Sequence, residues 1–339
     1  MTRAALPQPL RPRALAPGDL VVIASLSGPL DVRYAPDLER AVTVLERMGF
    51  RVRLAPLLET GRHHWWSAAR PAEIAEEFNA LLRDPEVRAI IAHDGGTTAL
   101  GYLDLIDDEA ITADPKPILG YSDISLLHLV LHARTGLVGF HADLATPGLG
   151  GHWQAAPAER QAELGKLYST LLTGPEAIGA LPTSPSWECW RAGRAEGRLI
   201  GGLLNRIVLS QATRYAIPLE WFDGAVLFWE EMGGQAAHVW SYLQVLRHRG
   251  ILDRISGMVV GMPYAIDGLG ADASPTLREI VLDVLADRDI AVLGNVDFGH
   301  AGPNLPMPVG IRVALESQQR TLSLLEPAVR VAHSGESVS

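Results

Sequence analysis

The stretch Lys116–Thr135, KPILGYSDISLLHLVLHART, decides how this chain is read. Pro117–Leu119 is a short apolar run, as a buried strand requires. Gly120-Tyr121-Ser122-Asp123 is turn-forming. From Ile124 onward apolar residues recur at Ile124, Leu127, Val130 and Leu131, the spacing of a helix. A serine on a sharp strand-to-helix turn holds its hydroxyl out of the sheet, near the positive end of a helix. Ser122 is therefore a candidate nucleophile, and the N–H of Asp123 a candidate donor to an oxyanion. The plainer reading is that Ser122 or Asp123 only caps the helix, since a small polar residue before an apolar run is the commonest helix start. The stretch alone supports both readings equally.

Toward the N-terminus the pattern is that of a parallel α/β domain. Leu20–Ala24 is continuously apolar, the mark of a strand covered on both faces. The helix expected over Asp37–Met48 stops at Gly49, and Arg51–Leu54 is a second strand, so the chain opens with a βαβ unit. Pro71–Leu82 is expected to be a helix and Val87–Ala92 a third strand. That strand runs into His93-Asp94-Gly95-Gly96, where paired glycines let backbone N–H groups approach a ligand. The pair lacks the Gly-Lys-Ser/Thr ending of a P-loop and is not GxGxxG. His63-His64 are adjacent, a spacing that suits one metal ion poorly. Thr98–Leu105 is read as a helix, Asp107–Pro115 as a loop and residues 1–18 as loosely ordered.

Toward the C-terminus the composition changes over residues 146–190, with a helical piece expected at Ala158–Leu172 between Pro/Gly- and Pro/Ser-rich stretches, and residues 156–190 are read as a linker. The expected division is residues 1–155, an N-terminal α/β domain; residues 191–328, a smaller domain of mixed strands and helices; and a tail over 329–339. In the second domain Ala225–Trp229 (AVLFW) is a buried strand ending in Glu230-Glu231. Ile290–Leu293 is another, leading to Phe298-Gly299-His300. Ile311–Glu316 and Thr321–Glu326 alternate like an antiparallel pair.

Size and charge narrow the function classes. The 339 residues suffice for two cores, and 47% hydrophobic with 20% charged residues is an ordinary globular composition. A net charge of −10 without a basic cluster argues against nucleic acid and anionic membranes as partners. The single cysteine, Cys189, excludes an internal disulfide, and no CxxC or HExxH offers a zinc site. No apolar run suits a signal peptide or a membrane span, so a cytoplasmic location is expected.

Ser122, Glu230 and His300 each stand just past the end of an expected buried strand, where α/β sheets place their ligands. Ser…Glu…His is an order used by acyl-transfer triads. Singly, each has an ordinary structural explanation. Alternation along the strand puts Val226, Phe228 and Glu230 on one face and Leu227, Trp229 and Glu231 on the other, and leaves open which face meets a site.

These residues carry a resemblance. The stretches GDLVVIASLSGP (18–29), GGTTALGYLD (95–104), KPILGYSDIS (116–125), TGLVGFH (135–141), GRLIGG (197–202), AVLFWEEMG (225–233), GILDRISGMVVG (250–261) and FGHAGPNLPMPVGIRV (298–313) resemble the LD-carboxypeptidase family of serine peptidases. Within it they are most similar to the branch of the microcin C immunity peptidases. The resemblance implies Ser122 as nucleophile, His300 as base, Glu230 rather than Glu231 as its partner, and an oxyanion hole from Asp123 and the Gly95-Gly96 turn. It implies no metal and no organic cofactor, a site between two domains, and a homodimer. Departures stand at Leu203, where relatives commonly have Asn, at Ala142 in place of Gly, and near Gly234, where an acidic residue is absent.

Two substrates compete on this reading: the amide of an aminoacyl- or peptidyl-nucleotide antibiotic, and the L,D bond of a murein tetrapeptide. Trp187 and Trp190 are candidates to meet a nucleobase, although a structural role is the commoner reading of either residue alone. A rival of another class is a small-ligand binding protein that has lost catalysis.

Overall fold

Two sheets, with the helix Ile124–Thr135 packed against strands of both, place the site. A computed structural model of the chain describes residues 8–270 and 274–331. The first sheet contains β1 (Leu20–Ala24), β2 (Arg51–Leu54), β3 (Val87–Ala92), β4 (Ile118–Leu119) and β5 (Gly139–His141). The second contains β6 (Gly179–Ala180), β7 (Glu188–Arg191), β8 (Arg194–Leu203), β9 (Val226–Glu230), β10 (Gly257–Gly261) and β11 (Ala291–Val296). After β12 (Met307–Val309) it is completed by β13 (Arg312–Glu316) and β14 (Thr321–Leu324).

The strand order of the first sheet is β12-β5-β4-β3-β1-β2, parallel except at β12, and that of the second is β6-β14-β13-β8-β9-β10-β11-β7, with β8 to β11 parallel and both edges antiparallel. The parallel α/β first domain and the mixed second domain expected from the sequence are both present. β12 lies far along the chain, yet it pairs with β5 as the edge strand of the first sheet. Strand pairing by this late segment ties the two halves together.

The helix Ile124–Thr135 has one apolar stripe in sequence, but every residue from Ile124 to His132 is buried. It packs against β5 on one side and against β8 and the helix Leu204–Gln211 on the other, so it has no solvent face. Its two internal histidines are held by carbonyls: His128 Nε2 lies 3.0 Å from the Gly120 oxygen and His132 Nδ1 3.0 Å from that of Leu137. Burial pushes both imidazoles down to about 4, so they are neutral near pH 7.

Several local expectations are corrected. Residues 8–18 are docked, with Leu15 buried and the Leu10 N–H bonded to the Gly136 oxygen at 2.8 Å, because their leucines cover the end of the first domain. The helical piece expected at Ala158–Leu172 is present as Ala158–Thr173, and its Leu164, Leu167, Tyr168, Leu171 and Leu172 are buried, so this part of 156–190 is packed on the fold. Asp108–Ala113 is a short helix capped by Asp107, whose carboxylate accepts the Ala110 N–H at 2.9 Å. Thr98–Leu105 is instead two short 3-10 turns. Of the tail expected at 329–339, Val329 is buried and residues 332–339 lie outside the described residues. No helix among the described residues is long and apolar enough to cross a membrane.

Candidate functional site

The turn from β4 into the helix Ile124–Thr135 is four residues long, and two of them adopt positive φ. Gly120 has φ +153° and Ser122 has φ +62°. For a non-glycine residue that conformation costs on the order of 1–3 kcal/mol and survives only where its surroundings impose it. Side-chain capping does not account for the turn. The capping position falls on Asp123, whose carboxylate makes no bond to the helix. It faces the other way: Oδ2 accepts from Ser27 Oγ at 2.7 Å and from the Thr98 and Ala99 N–H groups at 2.8 Å each. Oδ1 accepts from Arg206 Nε at 2.7 Å. Asp123 is thus the buried anchor of the Gly-Gly loop, and Ser122 beside it is left half-buried.

Gly95 and Gly96 lie directly against this serine. A Cβ on Gly95 would stand 2.6 Å from Ser122 Oγ, and one on Gly96 would stand 2.5 Å from Ser27 Oγ. Only glycine permits the approach at either position. The Gly95 carbonyl accepts the Gly28 N–H at 2.8 Å, and the Gly95 N–H is taken by the Asp94 carboxylate at 2.7 Å. Among the described residues the N–H groups of Gly96 and Asp123 have no protein acceptor, so these two remain available to a ligand at Ser122.

Glu230 is the last residue of β9 and is wholly buried. His300 Nδ1 lies 2.8 Å from its Oε2. That contact assigns the proton to Nδ1, since a carboxylate accepts, and leaves Nε2 as the basic nitrogen. Space for the carboxylate comes from glycines: a Cβ on Gly299, itself at φ +108°, would fall 2.9 Å from Glu230 Oε2. The imidazole of His300 meets the ring of Tyr121 edge-on, centroids 4.8 Å apart at 86°. His300 and Glu230 are thereby packed against the residue that precedes Ser122. The loop beyond His300 is held from the first domain. Asp143, buried after β5, accepts the Asn304 N–H at 3.0 Å, Asn304 Nδ2 at 2.8 Å and Trp153 Nε1 at 2.7 Å.

Glu231 points to the other face of β9. Its carboxylate accepts the Asn205 N–H at 2.9 Å and Asn205 Nδ2 at 2.8 Å, and does not touch His300. Burial raises its carboxyl to about 7, against which the bonds from Met232 and Asn205 act only in part. The folded state therefore holds this proton more tightly than the unfolded chain, and stability should fall as pH rises from about 4.5 through about 7. Glu231→Gln is expected to flatten that part of the stability–pH curve while leaving turnover within a few-fold of wild type. Denaturant melts at pH 5 and pH 8 on both proteins check it, and an unchanged slope in the variant would remove Glu231 as its source.

The other expected site residues are placed differently. Trp187 and Trp190 are 1% and 4% exposed. Trp190 lies so close to Gly294 that a Cβ there would clash with its ring, and its Nε1 donates to Glu188 at 3.0 Å. Trp187 and Trp190 pack into apolar core on opposite sides of the second sheet, and Trp190 also borders a cavity shared with Glu188, Pro263, Leu269 and Asn295. Leu203 is buried too, its N–H bonded to Ser125 Oγ at 3.0 Å, and Ala142 lies in the core. Among the described residues the most exposed indoles are Trp65 and Trp66, at 73% and 63%, on the loop of His63-His64; Trp240 is exposed on its helix elsewhere. Cys189 is free and half-buried. Among the described residues no group of three or more His, Cys, Asp or Glu side chains is arranged to hold a metal ion. Arg206 and Asp143 were not singled out from the sequence. An arginine early in a helix looks like a surface residue, and an Asp two residues after a strand looks like a turn.

Residues 21–142 match the LD-carboxypeptidase N-terminal domain and residues 196–315 the LD-carboxypeptidase C-terminal domain. The chain is 28% identical to the microcin C7 self-immunity protein MccF of Escherichia coli, over 94% of this chain and 96% of that one. It is 30% identical to a Streptomyces coelicolor chain assigned as a carboxypeptidase (94% and 97% covered). It is 27% identical to a Bacillus subtilis protein assigned as a murein peptide carboxypeptidase (92% and 93% covered). Solved structures of MccF with aspartyl sulfamoyl adenosine and with glutamyl sulfamoyl guanosine superpose with a TM-score of 0.84 at 26% identity, covering 95% of this chain and 100% of each. Matching both family domains in order, over a strand-to-helix serine turn and a shared two-sheet fold, this chain belongs to the LD-carboxypeptidase family of serine peptidases.

Proposed function

We propose that the protein is a serine amidase with Ser122 as nucleophile, His300 as general base and Glu230 as its partner. The observation that carries this reading is the Glu230–His300 pair packed on Tyr121, next to a serine held at φ +62°. His300 Nε2 takes the hydroxyl proton as Oγ attacks the carbonyl carbon. The tetrahedral oxyanion is met by the N–H groups of Gly96 and Asp123. His300 then gives its proton to the leaving amine nitrogen as the carbon–nitrogen bond breaks. Water, deprotonated by the same nitrogen, releases the acyl group from Ser122. Glu230 accepts the Nδ1–H throughout and stabilises the imidazolium.

The proposed substrate is the amide linking an aminoacyl or peptidyl group to a nucleotide-like moiety, as in a self-immunity enzyme. The MccF complexes with aminoacyl sulfamoyl nucleosides and the end-to-end match to that protein support it. The same reading has the enzyme act in the cytoplasm as a homodimer. Purified protein should cleave aspartyl or glutamyl sulfamoyl adenosine, releasing the free amino acid. Cleavage of a murein tetrapeptide with none of the nucleoside would transfer the assignment to cell-wall peptide, the chemistry of the Bacillus subtilis relative. Binding of either without hydrolysis would make it a ligand-binding protein.

A further inference from the structure

The two halves of the site are joined by a side chain outside the triad. Arg206 is the third residue of the helix Leu204–Gln211, in the second domain, and its side chain is only 11% exposed. Nε donates to Asp123 Oδ1 at 2.7 Å, and Nη2 donates to the Gly96 carbonyl at 2.9 Å. Nη1 donates to Asn205 Oδ1 at 2.9 Å, and Asn205 is in turn pinned by Glu231 through its N–H and its Nδ2. One planar guanidinium therefore bonds both Gly96 and Asp123, the two residues proposed above as oxyanion donors.

We propose that Arg206 is a positioning residue for the reaction: by clamping Gly96 and Asp123 at a fixed separation it holds their N–H groups where the oxyanion forms. The argument is one of rigidity. Gly96 has φ +146° and no side chain, so nothing intrinsic fixes the direction of its amides. The Gly-Gly loop is otherwise held through the Asp123 and Asp94 carboxylates, Ser27 Oγ and the Gly28–Gly95 bond, none of which is bonded to Gly96 itself. Arg206 supplies that contact. A preorganised donor helps most where it need not reorganise as charge develops, and losing one such donor typically costs about 10²–10³ in rate. Arginine is suited to the task because its fork reaches two acceptors at once in fixed geometry, which a lysine ammonium on a flexible stem does not.

The inference rests on Ser122 as the nucleophile, so the experiment carries Ser122→Ala in parallel. Arg206→Lys and Arg206→Gln are made, and kcat, KM and Tm are measured for each on the substrate that the wild type turns over best. Arg206→Lys keeps a charge beside buried Asp123 and guards against a folding defect in the glutamine variant. The expected result is a fall in kcat of about 10²-fold for Arg206→Gln and at least about tenfold for Arg206→Lys, with KM within about threefold. A boronic-acid analogue of the acyl group, which forms a tetrahedral adduct on the serine, should lose affinity by the same factor as kcat/KM. A residue that only joins the domains would lower Tm without producing that parallel. Wild-type kcat in Arg206→Lys, or a loss confined to KM, with Ser122→Ala inactive, overturns the positioning role alone. Turnover by Ser122→Ala overturns the nucleophile and the positioning role together.

Discussion

Ser122→Ala and Ser122→Gly are both expected to fold and to lose turnover by about 10³-fold or more, since the hydroxyl that attacks is gone in each. Their stabilities should differ, and the difference tests why the serine sits where it does. Ser122 is at φ +62°, a conformation that costs an L-residue about 1–2 kcal/mol. Alanine keeps the Cβ and so keeps that cost; its Tm should match wild type. Glycine is relieved of it and gives back about 0.5–1 kcal/mol in chain entropy, so Ser122→Gly should melt at or slightly above wild type. A dead enzyme as stable as the active one, or more so, is the signature of backbone strain kept for catalysis. Near-wild-type hydrolysis by Ser122→Ala would end the nucleophile assignment, and a Tm several degrees lower for Ser122→Gly would show that the turn is not strained at this residue.

Glu230→Gln is the second large effect. The carboxylate accepts from His300 Nδ1 at 2.8 Å, which fixes the tautomer with Nε2 free to take the serine proton. A glutamine in the same space turns an N–H₂ toward Nδ1 in one of its two amide orientations. The ring then carries its proton on Nε2, where it cannot act as base. Even in the other orientation the imidazolium loses its counter-charge. A fall in kcat of about 10³–10⁴ is expected, with KM little changed because neither side chain is placed to bind substrate. His300→Ala should be as severe. Glu231→Gln is the control, since that carboxylate binds Asn205 on the opposite face of β9. If Glu231→Gln is the crippling change and Glu230→Gln is mild, the partner has been misassigned by one residue.

How much of this was legible follows from what local patterns report. Continuous apolar runs at Leu20–Ala24 and Val87–Ala92 marked strands covered on both faces, and Gly49 marked a helix end, so the parallel α/β opening could be read directly. The turn at Gly120–Asp123 was legible because strand, turn residues and helix follow one another within a single stretch. Motif order then carried the family. Tertiary contacts decided the rest. Periodicity showed one apolar stripe on Ile124–Thr135, whereas the second domain covers the other side as well. Alternation separated Glu230 from Glu231 without saying which faced a histidine seventy residues away. Trp187 and Trp190 read as candidates to meet a nucleobase against a commoner structural role, and tertiary packing buries both. Arg206 and Asp143 carried no signal at all. A buried ion pair and a surface charge are the same letter in sequence, and what separates them is the distant segment folded over each: Gly96 and Asp123 over Arg206, Asn304 over Asp143.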